Sequence, residues 1–348
     1  MQEASSSISA VKVAMVGVGY FARFQLNAWF RLPGCKVVAI SEKDDERRAQ
    51  LENEFPHLPT YRDVDALLSR HEIDVLDVAT PPNTHVQIIS PLLGRVKTIV
   101  CQKPFCGTFT AGRELTAAAK ASKTELIVHE NFRFMPWYRV VKKAIDEGEL
   151  GKIQQCRFAL RPGDGAGEDA YLARQPYFRD MKQFLIHETG VHWIDVFRYL
   201  FGEPETVFAD LWRSNPAIKG EDSGLMILKW SDGLRAVLDG NLTLDHAADN
   251  HRLTMGEMIV EGSQGTLTVN GWGQVHLRAK GSNELKSIAY DFQDRDFGGD
   301  CVYLFQAHVL QHLIEDAPVE TLAENYLKNL LIEDACYRSA SEGRQIDI

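Results

Sequence analysis

Several features are scarce or missing in this chain of 348 residues, and each absence removes a class of answer. No stretch of about 18 consecutive apolar residues occurs, which is the run a membrane-spanning helix needs, so no span is expected. No basic cluster stands out, and the formal net charge is −10. Binding to a nucleic-acid backbone rests on clustered Lys and Arg, so nucleic acid is not the expected partner. The six cysteines, Cys35, Cys101, Cys106, Cys156, Cys301 and Cys336, show neither metal-ligand spacing nor the density of a small disulfide scaffold. Free thiols in a reducing cytoplasm, and no metal, are expected. The first ten residues, MQEASSSISA, hold no basic segment followed by an apolar one, so no signal peptide is expected. Beyond that serine run there is no low-complexity tract and no internal repeat.

What is present is ordinary globular material: 45% hydrophobic and 25% charged residues, with a length that predicts two domains. In the first third, short apolar runs alternate with helical patterns. Strands are predicted over 11–16, 36–40, 74–79, 98–101 and 125–129, with helices between them, among them 44–55 and 110–122. Such alternation predicts βαβ units and a parallel sheet. After about residue 134 the pattern changes. A helix near 140–147 leads into a strand, a glycine-rich loop and an apolar helix over about 184–201. Strands follow over 206–212, 225–230, 234–242, 258–261, 266–269 and 274–278, and helices over about 300–315 and 321–341 close the chain. Turns such as Ser231-Asp232-Gly233 suit antiparallel hairpins.

The stretch VAMVGVGYFARF sets Gly17, Gly19 and Ala22 between the first strand and the first helix, with Tyr20 and Phe21 inside the turn. The glycines permit a tight turn and close backbone approach, and a helix N-terminus favours a pyrophosphate. Glu42 follows the second strand, 23 residues after Gly19. A carboxylate there accepts ribose hydroxyls and repels a 2′-phosphate, which favours NAD over NADP; Lys43 is the residue that argues the other way. The expected fold is therefore α/β. A Rossmann-type parallel-sheet domain spans 1–133, and an α+β domain with a mainly antiparallel sheet spans 134–348.

Two further loops fall at strand ends, where such sheets bind ligands. Thr80, Pro81 and Pro82 form a stiff turn after the third long strand, and His85 behind them either starts a helix or reaches the ligand. Gln102, Lys103 and Pro104 follow the fourth strand, which places an ammonium group on the ligand side of the sheet. In the second part, Glu188 and His192 are four apart on the apolar helix and share a face, with Asp195 roughly on the same side. The loop RPGDGAGEDAYLARQPYFR, 161–179, carries Arg161, Asp164, Tyr171, Arg174, Gln175 and Arg179. It is either a solvated excursion or a binding loop, and its place directly before the Glu188 helix favours binding. His308 and His312 are four apart on a predicted helix, but no third ligand lies near them, so a metal is not expected.

In this order and spacing, Gln102-Lys103-Pro104, Asn131-Phe132-Arg133-Phe134, the eight residues from Glu188 to Asp195 and the turn 261–267 resemble the Gfo/Idh/MocA oxidoreductases. The resemblance runs from about Val11 to the end of the chain. It implies an NAD-dependent enzyme acting on a CH–OH group of a sugar or polyol, working as a homo-oligomer. It also implies that Asn131 and Gln102 contact the cofactor and that Arg133 joins Arg161, Tyr171 and Arg174 around the substrate. Two positions depart from the family pattern: Gln102 stands for the usual Glu, and Glu188 for the usual Asp. A narrower resemblance, carried by CQKPF, VHENFRFMPWYR, RPGDG with AYLARQPYF, and HETGVH, is to a branch that oxidises D-apiose at its anomeric carbon to a lactone.

The chemistry needs a hydride acceptor and a place for the hydroxyl proton. An imidazole's ordinary pKa, about 6.5, lies near working pH and an ammonium's, about 10.4, does not, so His192 is the expected base. Lys103 then donates to the reacting oxygen, and Glu188 holds a neighbouring hydroxyl. If its surroundings depress Lys103, the two roles exchange. A dinucleotide-binding regulator without turnover, and a reductase of a keto sugar, are the alternatives.

Overall fold

The computed structural model describes residues 10–348. The segment read above for a leader falls largely in residues 1–9, outside the described residues. Two compact units emerge. One comprises the chain as far as Glu130 together with Val302–Leu327, and the other Asn131–Cys301 with Lys328–Ile348. The chain thus returns to the first unit after residue 301, which a single division at 133/134 does not contain.

The first unit holds six strands: β1 (Val11–Val16), β2 (Cys35–Ser41), β3 (Thr60–Tyr61), β4 (Val75–Val78), β5 (Thr98–Gln102) and β6 (Glu125–His129). All pair in parallel, in the order β3-β2-β1-β4-β5-β6. β4 and β5 are buried along their whole length, as a parallel sheet covered on both faces requires of its sequence. The strand order turns back between β1 and β4, and at such a point the loops leaving the carboxyl ends part to admit a ligand. Gly17 opens the loop after β1 with φ +82°, and a Cβ there would lie 2.7 Å from Thr80 Cγ2 and 3.0 Å from the Ala79 carbonyl. The two loops therefore meet closely, and only glycine admits the contact.

The helix Ala22–Arg31 buries Ala22, Gln25, Leu26 and Trp29, an i, i+3, i+4, i+7 face. The helix Asp45–Glu54 is started by Asp44, whose carboxylate accepts from Arg47 N at 2.9 Å. Residues returning from the far end of the chain complete the unit, with Val128 N donating to the Thr321 carbonyl at 2.9 Å. On the helix Cys301–Glu315, His308 Nε2 accepts from Glu320 N at 3.0 Å, and His312 Nε2 lies 2.9 Å from Glu125 Oε1. Both rings thus serve local hydrogen bonds. Among the described residues no His/Cys/Asp/Glu cluster could hold a metal ion.

The second unit holds β7 (Ile153–Leu160), β8 (Thr206–Trp212), β9 (Ser223–Lys229), β10 (Arg235–Asn241), β11 (Gly256–Gly262), β12 (Gly265–Val269), β13 (Val275–Ala279), β14 (Lys286–Ile288) and β15 (Ile346–Asp347). They form one sheet in the order β14-β13-β12-β11-β7-β10-β9-β8-β15. Every pairing is antiparallel except β7 with β10. Burial alternates along β9 and β10, with Met226, Leu228, Ala236 and Leu238 turned inward. A Cβ on Gly240 would lie 3.1 Å from Leu185 Cδ2, and one on Gly224 3.4 Å from the same atom. Glycine at both positions lets the segment carrying Leu185 settle directly on the sheet. That segment, Leu185–Gly190, is a wide π-turn, and an α-helix, Val191–Phe201, continues from it. The single helix expected over 184–201 is therefore two geometries in series, a break often found at functional positions.

No helix among the described residues is long and apolar enough to cross a membrane.

Candidate active site

The first unit carries a dinucleotide cradle. An added Cβ at Gly19 would meet nothing within 4 Å, so the loop leaves open room at that position. The helix Ala22–Arg31 begins after Phe21 without a side-chain cap. Tyr20 is 39% exposed and sets its ring edge-on to Phe24 at 5.7 Å. Glu42 is buried, and its two carboxylate oxygens accept from Val18 N at 2.9 Å and from Asp44 N at 3.0 Å. The acid is thus fixed against the glycine turn by backbone donors, while each oxygen keeps a lone pair for a further donor. Arg48 donates to the Glu42 carbonyl at 3.1 Å and is itself paired with Asp45 at 2.6 Å. Open glycine, uncapped helix start and anchored carboxylate together fit a dinucleotide's pyrophosphate and ribose.

The two neighbouring loops complete this face. Pro82 opens a short turn after Thr80 and Pro81, and Thr84 Oγ1 donates to Thr80 Oγ1 at 2.8 Å. His85 begins the helix His85–Ile89 and is fully buried. Its Nε2 lies 2.8 Å from the Thr80 carbonyl and its Nδ1 3.0 Å from the Phe105 carbonyl, so the ring sits between the loop after β4 and the loop after β5. Burial holds the His85 pKa below its ordinary value. A neutral imidazole carries one N–H, so the ring donates to one of these carbonyls at a time. Gln102 ends β5, and the Lys103–Pro104 peptide that follows is cis.

In the second unit, Glu188 sits on the π-turn and His192 on the first turn of the α-helix, and both are buried. The His192 ring lies flat on Phe132, centroids 3.6 Å apart and planes 3° from parallel. Phe132 belongs to the Asn131–Phe134 stretch, and the next residue, Arg133, grips Asp195 with two nitrogens, Nε to Oδ2 and Nη2 to Oδ1, each at 2.7 Å. Burial raises the Asp195 pKa, but the charge and hydrogen bonds of Arg133, joined by Arg198 and Asn329, bring it below the ordinary carboxylate value. The stretch is thereby bolted to the His192 helix through Phe132 and Arg133. Asn131 sets its amide nitrogen 2.9 Å from Cys301 Sγ, and its Oδ1 is buried with no hydrogen-bond partner among the described residues. An orphaned acceptor of this kind fits a ligand donor.

A second clamp holds the π-turn itself, and none of its members stands out in the sequence. Glu221 Oε1 accepts from Phe184 N at 3.0 Å, Ile186 N at 3.3 Å and Tyr337 Oη at 2.6 Å. His187 N donates to that same tyrosine oxygen at 3.0 Å, and His187 Nδ1 lies 2.5 Å from Glu333 Oε1.

Three residues expected around the substrate have partners within the chain. Arg161 donates to the carbonyls of Leu160 and Asp239 and pairs with Asp239 Oδ1 at 2.6 Å. Arg174 pairs with Asp164 at 2.6 Å. Tyr171 is buried against Phe178 and Phe184, with ring centroids 5.3 and 5.4 Å away, and so anchors the loop from within. Asn215 reinforces that loop through the carbonyls of Gly165 and Gly167. Tyr177 is the loop aromatic whose hydroxyl feels the charge of Glu188. It is an exposed residue, yet desolvation of its hydroxyl and, next, the charge of Glu188 hold its pKa above the ordinary phenol range. Its only sequence signal is its place in a loop that precedes Glu188.

Comparison with known proteins agrees with this geometry. Residues 11–130 match the model of a family described as an oxidoreductase family with an NAD-binding Rossmann fold, and residues 138–268 that of the GFO/IDH/MocA C-terminal domain. The D-apiose dehydrogenase of Paraburkholderia graminis is 28% identical, over 99% of this chain and 91% of its own length. The inositol 2-dehydrogenase of Rhizobium meliloti is 25% identical, over 94% of this chain and 99% of its own. A crystal structure of an oxidoreductase from Agrobacterium radiobacter in complex with NAD+, L-tartaric acid and magnesium superposes with a TM-score of 0.87, at 26% identity, covering 97% of this chain and 98% of that one.

Proposed function

The chain belongs to the Gfo/Idh/MocA oxidoreductase family, and on that premise we propose that it oxidises a cyclic sugar at its anomeric carbon to the lactone, with D-apiose the first substrate to try. The observation that carries the reading is the ammonium of Lys103 at the carboxyl end of β5, in the same sheet that bears the NAD cradle at Gly17, Gly19 and Glu42. The names of the relatives support a sugar or polyol as the class, and the D-apiose dehydrogenase among them supports the narrower choice.

Bound NAD supplies the hydride acceptor. His192 takes the proton of the anomeric hydroxyl, its ring plane fixed by the stack on Phe132. Lys103 donates a hydrogen bond to the oxygen that becomes the lactone carbonyl, holding it while charge develops there. Glu188 accepts from a neighbouring ring hydroxyl, and its charge is felt by the Tyr177 hydroxyl on the loop side. One proton and one hydride leave the sugar, so no further reactant is needed. Glu42 favours NAD over NADP because a 2′-phosphate would face its carboxylate. The reading includes a homo-oligomer, and a reducing cytoplasm that suits six cysteines without a disulfide.

The test is the initial rate of NADH and NADPH formation with D-apiose, xylose, glucose, galactose and myo-inositol, with the product trapped as lactone or acid. Highest kcat/KM for D-apiose with NAD is expected. A better sugar would replace the substrate and leave the dehydrogenase; NAD binding without turnover on any sugar would favour a regulator.

A further inference from the structure

Asp77 lies in the middle of β4, fully buried, and no step above uses it. Its Oδ1 accepts from Gln25 Nε2 at 2.9 Å, and its Oδ2 accepts from the same nitrogen at 3.1 Å and from Trp29 Nε1 at 2.8 Å. Gln25 Oε1 in turn accepts from Gln102 Nε2 at 3.0 Å. Gln102 Oε1 accepts from the backbone nitrogen of Lys103 at 2.7 Å. Gln25 is also fully buried and Gln102 is buried, so water does not compete for these bonds. The backbone of Gln25 is held as well, its carbonyl accepting from Gln306 Nε2 at 3.1 Å.

The chain of bonds has a direction. An ionised carboxylate only accepts, whereas an amide has one donating end and one accepting end. Asp77 therefore draws the Gln25 nitrogen toward itself. That turns the Gln25 oxygen to Gln102, which must present its nitrogen there and its oxygen to Lys103 N. Reversing any member sets two donors or two acceptors against each other in a buried place, which costs more than a lost bond. We propose that Asp77 and Gln25 are positioning residues that orient the Gln102 amide and thereby hold the backbone of Lys103, and that residues 77 and 102 are a matched pair. The proposal rests on the reading of Lys103 as the donor to the reacting oxygen. Burial pushes the Asp77 pKa up to about 7 against the hydrogen bonds from Trp29 and Gln25, so the acceptor-only form is populated at mildly alkaline pH.

The matching makes a definite swap. Gln102→Glu puts a carboxylate against the Gln25 oxygen; Gln25 must turn, and then its oxygen faces Asp77. Asp77→Asn alone leaves a donor–donor clash, at Trp29 Nε1 or, with both glutamines turned, at Lys103 N. In the double variant the bonds close again with reversed direction. The introduced amide accepts from Trp29 and donates to Gln25, and Gln25 donates to the introduced carboxylate, which accepts from Lys103 N.

The experiment is this double-mutant cycle in the full chain, assayed above about pH 8, where Asp77 is ionised. Two readouts are followed: kcat with NAD, and the hydrogen-exchange rate of the Lys103 amide in protein with nitrogen-labelled lysine. Each single variant should lose at least about ten-fold in kcat and exchange Lys103 faster, and the double should recover to within about three-fold of the parent in both. Losses that multiply in the double variant, or a Gln102→Glu protein with parental kcat and exchange, would overturn the proposal. If Gln102→Glu does not fold, the double against Asp77→Asn decides: a slower Lys103 exchange in the double supports it, and an equal or faster one overturns it. Lys103→Met serves as control. An active Lys103→Met protein removes the reading of Lys103, whereas an inactive one beside an additive cycle removes only the relay.

Discussion

Asp195→Asn tests whether the Arg133 clamp holds the His192 helix. Asp195 is 1% exposed and Arg133 12%. The carboxylate accepts from Arg133 Nε and Nη2 at 2.7 Å each and from Asn329 Nδ2 at 2.9 Å, and Asn329 is itself held by Arg198 Nη1 at 2.5 Å. Asparagine has nearly the same shape, but its nitrogen must face one set of these donors. Turned to the Oδ2 side it meets Arg133 Nε; turned to the Oδ1 side it meets both Arg133 Nη2 and Asn329. Either way a charge-assisted bond is replaced by a clash, and two arginines lose a buried counter-charge. Breaking a buried pair from one side costs about 3–5 kcal/mol. At about 1.4 kcal/mol per decade, that is about two to three and a half decades in the opening equilibrium of the helix. The assay is backbone hydrogen exchange over Val191–Phe201, compared with the β9–β10 amides as internal reference. Protection of the helix should fall by that factor while the reference strands change little. Protection within about ten-fold of the parent would refute the reasoning. The pH dependence follows from the depressed Asp195 pKa. The unfolded state takes up the proton first as pH falls, so this contribution is complete above the ordinary carboxylate pKa of about 3.9 and fades only below it. The variant should show no such acid-side loss.

Other perturbations follow from the same geometry. Lys103→Met should leave the NAD dissociation constant within about two-fold and lower kcat and kcat/KM together, as loss of a transition-state interaction does; near-parental kcat would make Lys103 structural. His192→Asn should flatten the acidic limb of the pH–rate profile, and an unchanged limb would pass the base role to Lys103. Glu42→Ala should lower the NAD over NADP preference by about ten-fold or more, the equivalent of about 1.4 kcal/mol. It should also weaken the glycine turn, since Val18 N and Asp44 N both lose their acceptor. Better turnover of the parent protein with NADP than with NAD would end the Glu42 assignment.

Much of this fold is local, and local features are legible in sequence. β1 and β8 fall on their predicted residues because each is a short run made mostly of apolar residues. The glycine turn announces itself through Gly17 and Gly19: positive φ and the close approach of Thr80 exclude other side chains at Gly17, and Gly19 leaves open room. Glu42 and Lys103 follow from position alone, each just beyond a strand of a parallel sheet. Long-range partners decided the rest. Nothing near residue 185 in the chain foretells a π-turn; it exists where Gly224 and Gly240 admit Leu185 and where Glu221 and Tyr337 receive its backbone. Arg133 reads as a substrate ligand by resemblance and Arg161 and Arg174 by their loop, and only the fold shows Asp195, Asp239 and Asp164 within reach of them. Gln25, Asp77 and Gln102 look like unrelated polar residues until three separate elements bring them into one buried line. A side chain's periodicity records which way it points, but its partner is fixed by the closing of the chain, and a buried charge or amide takes its role from that partner.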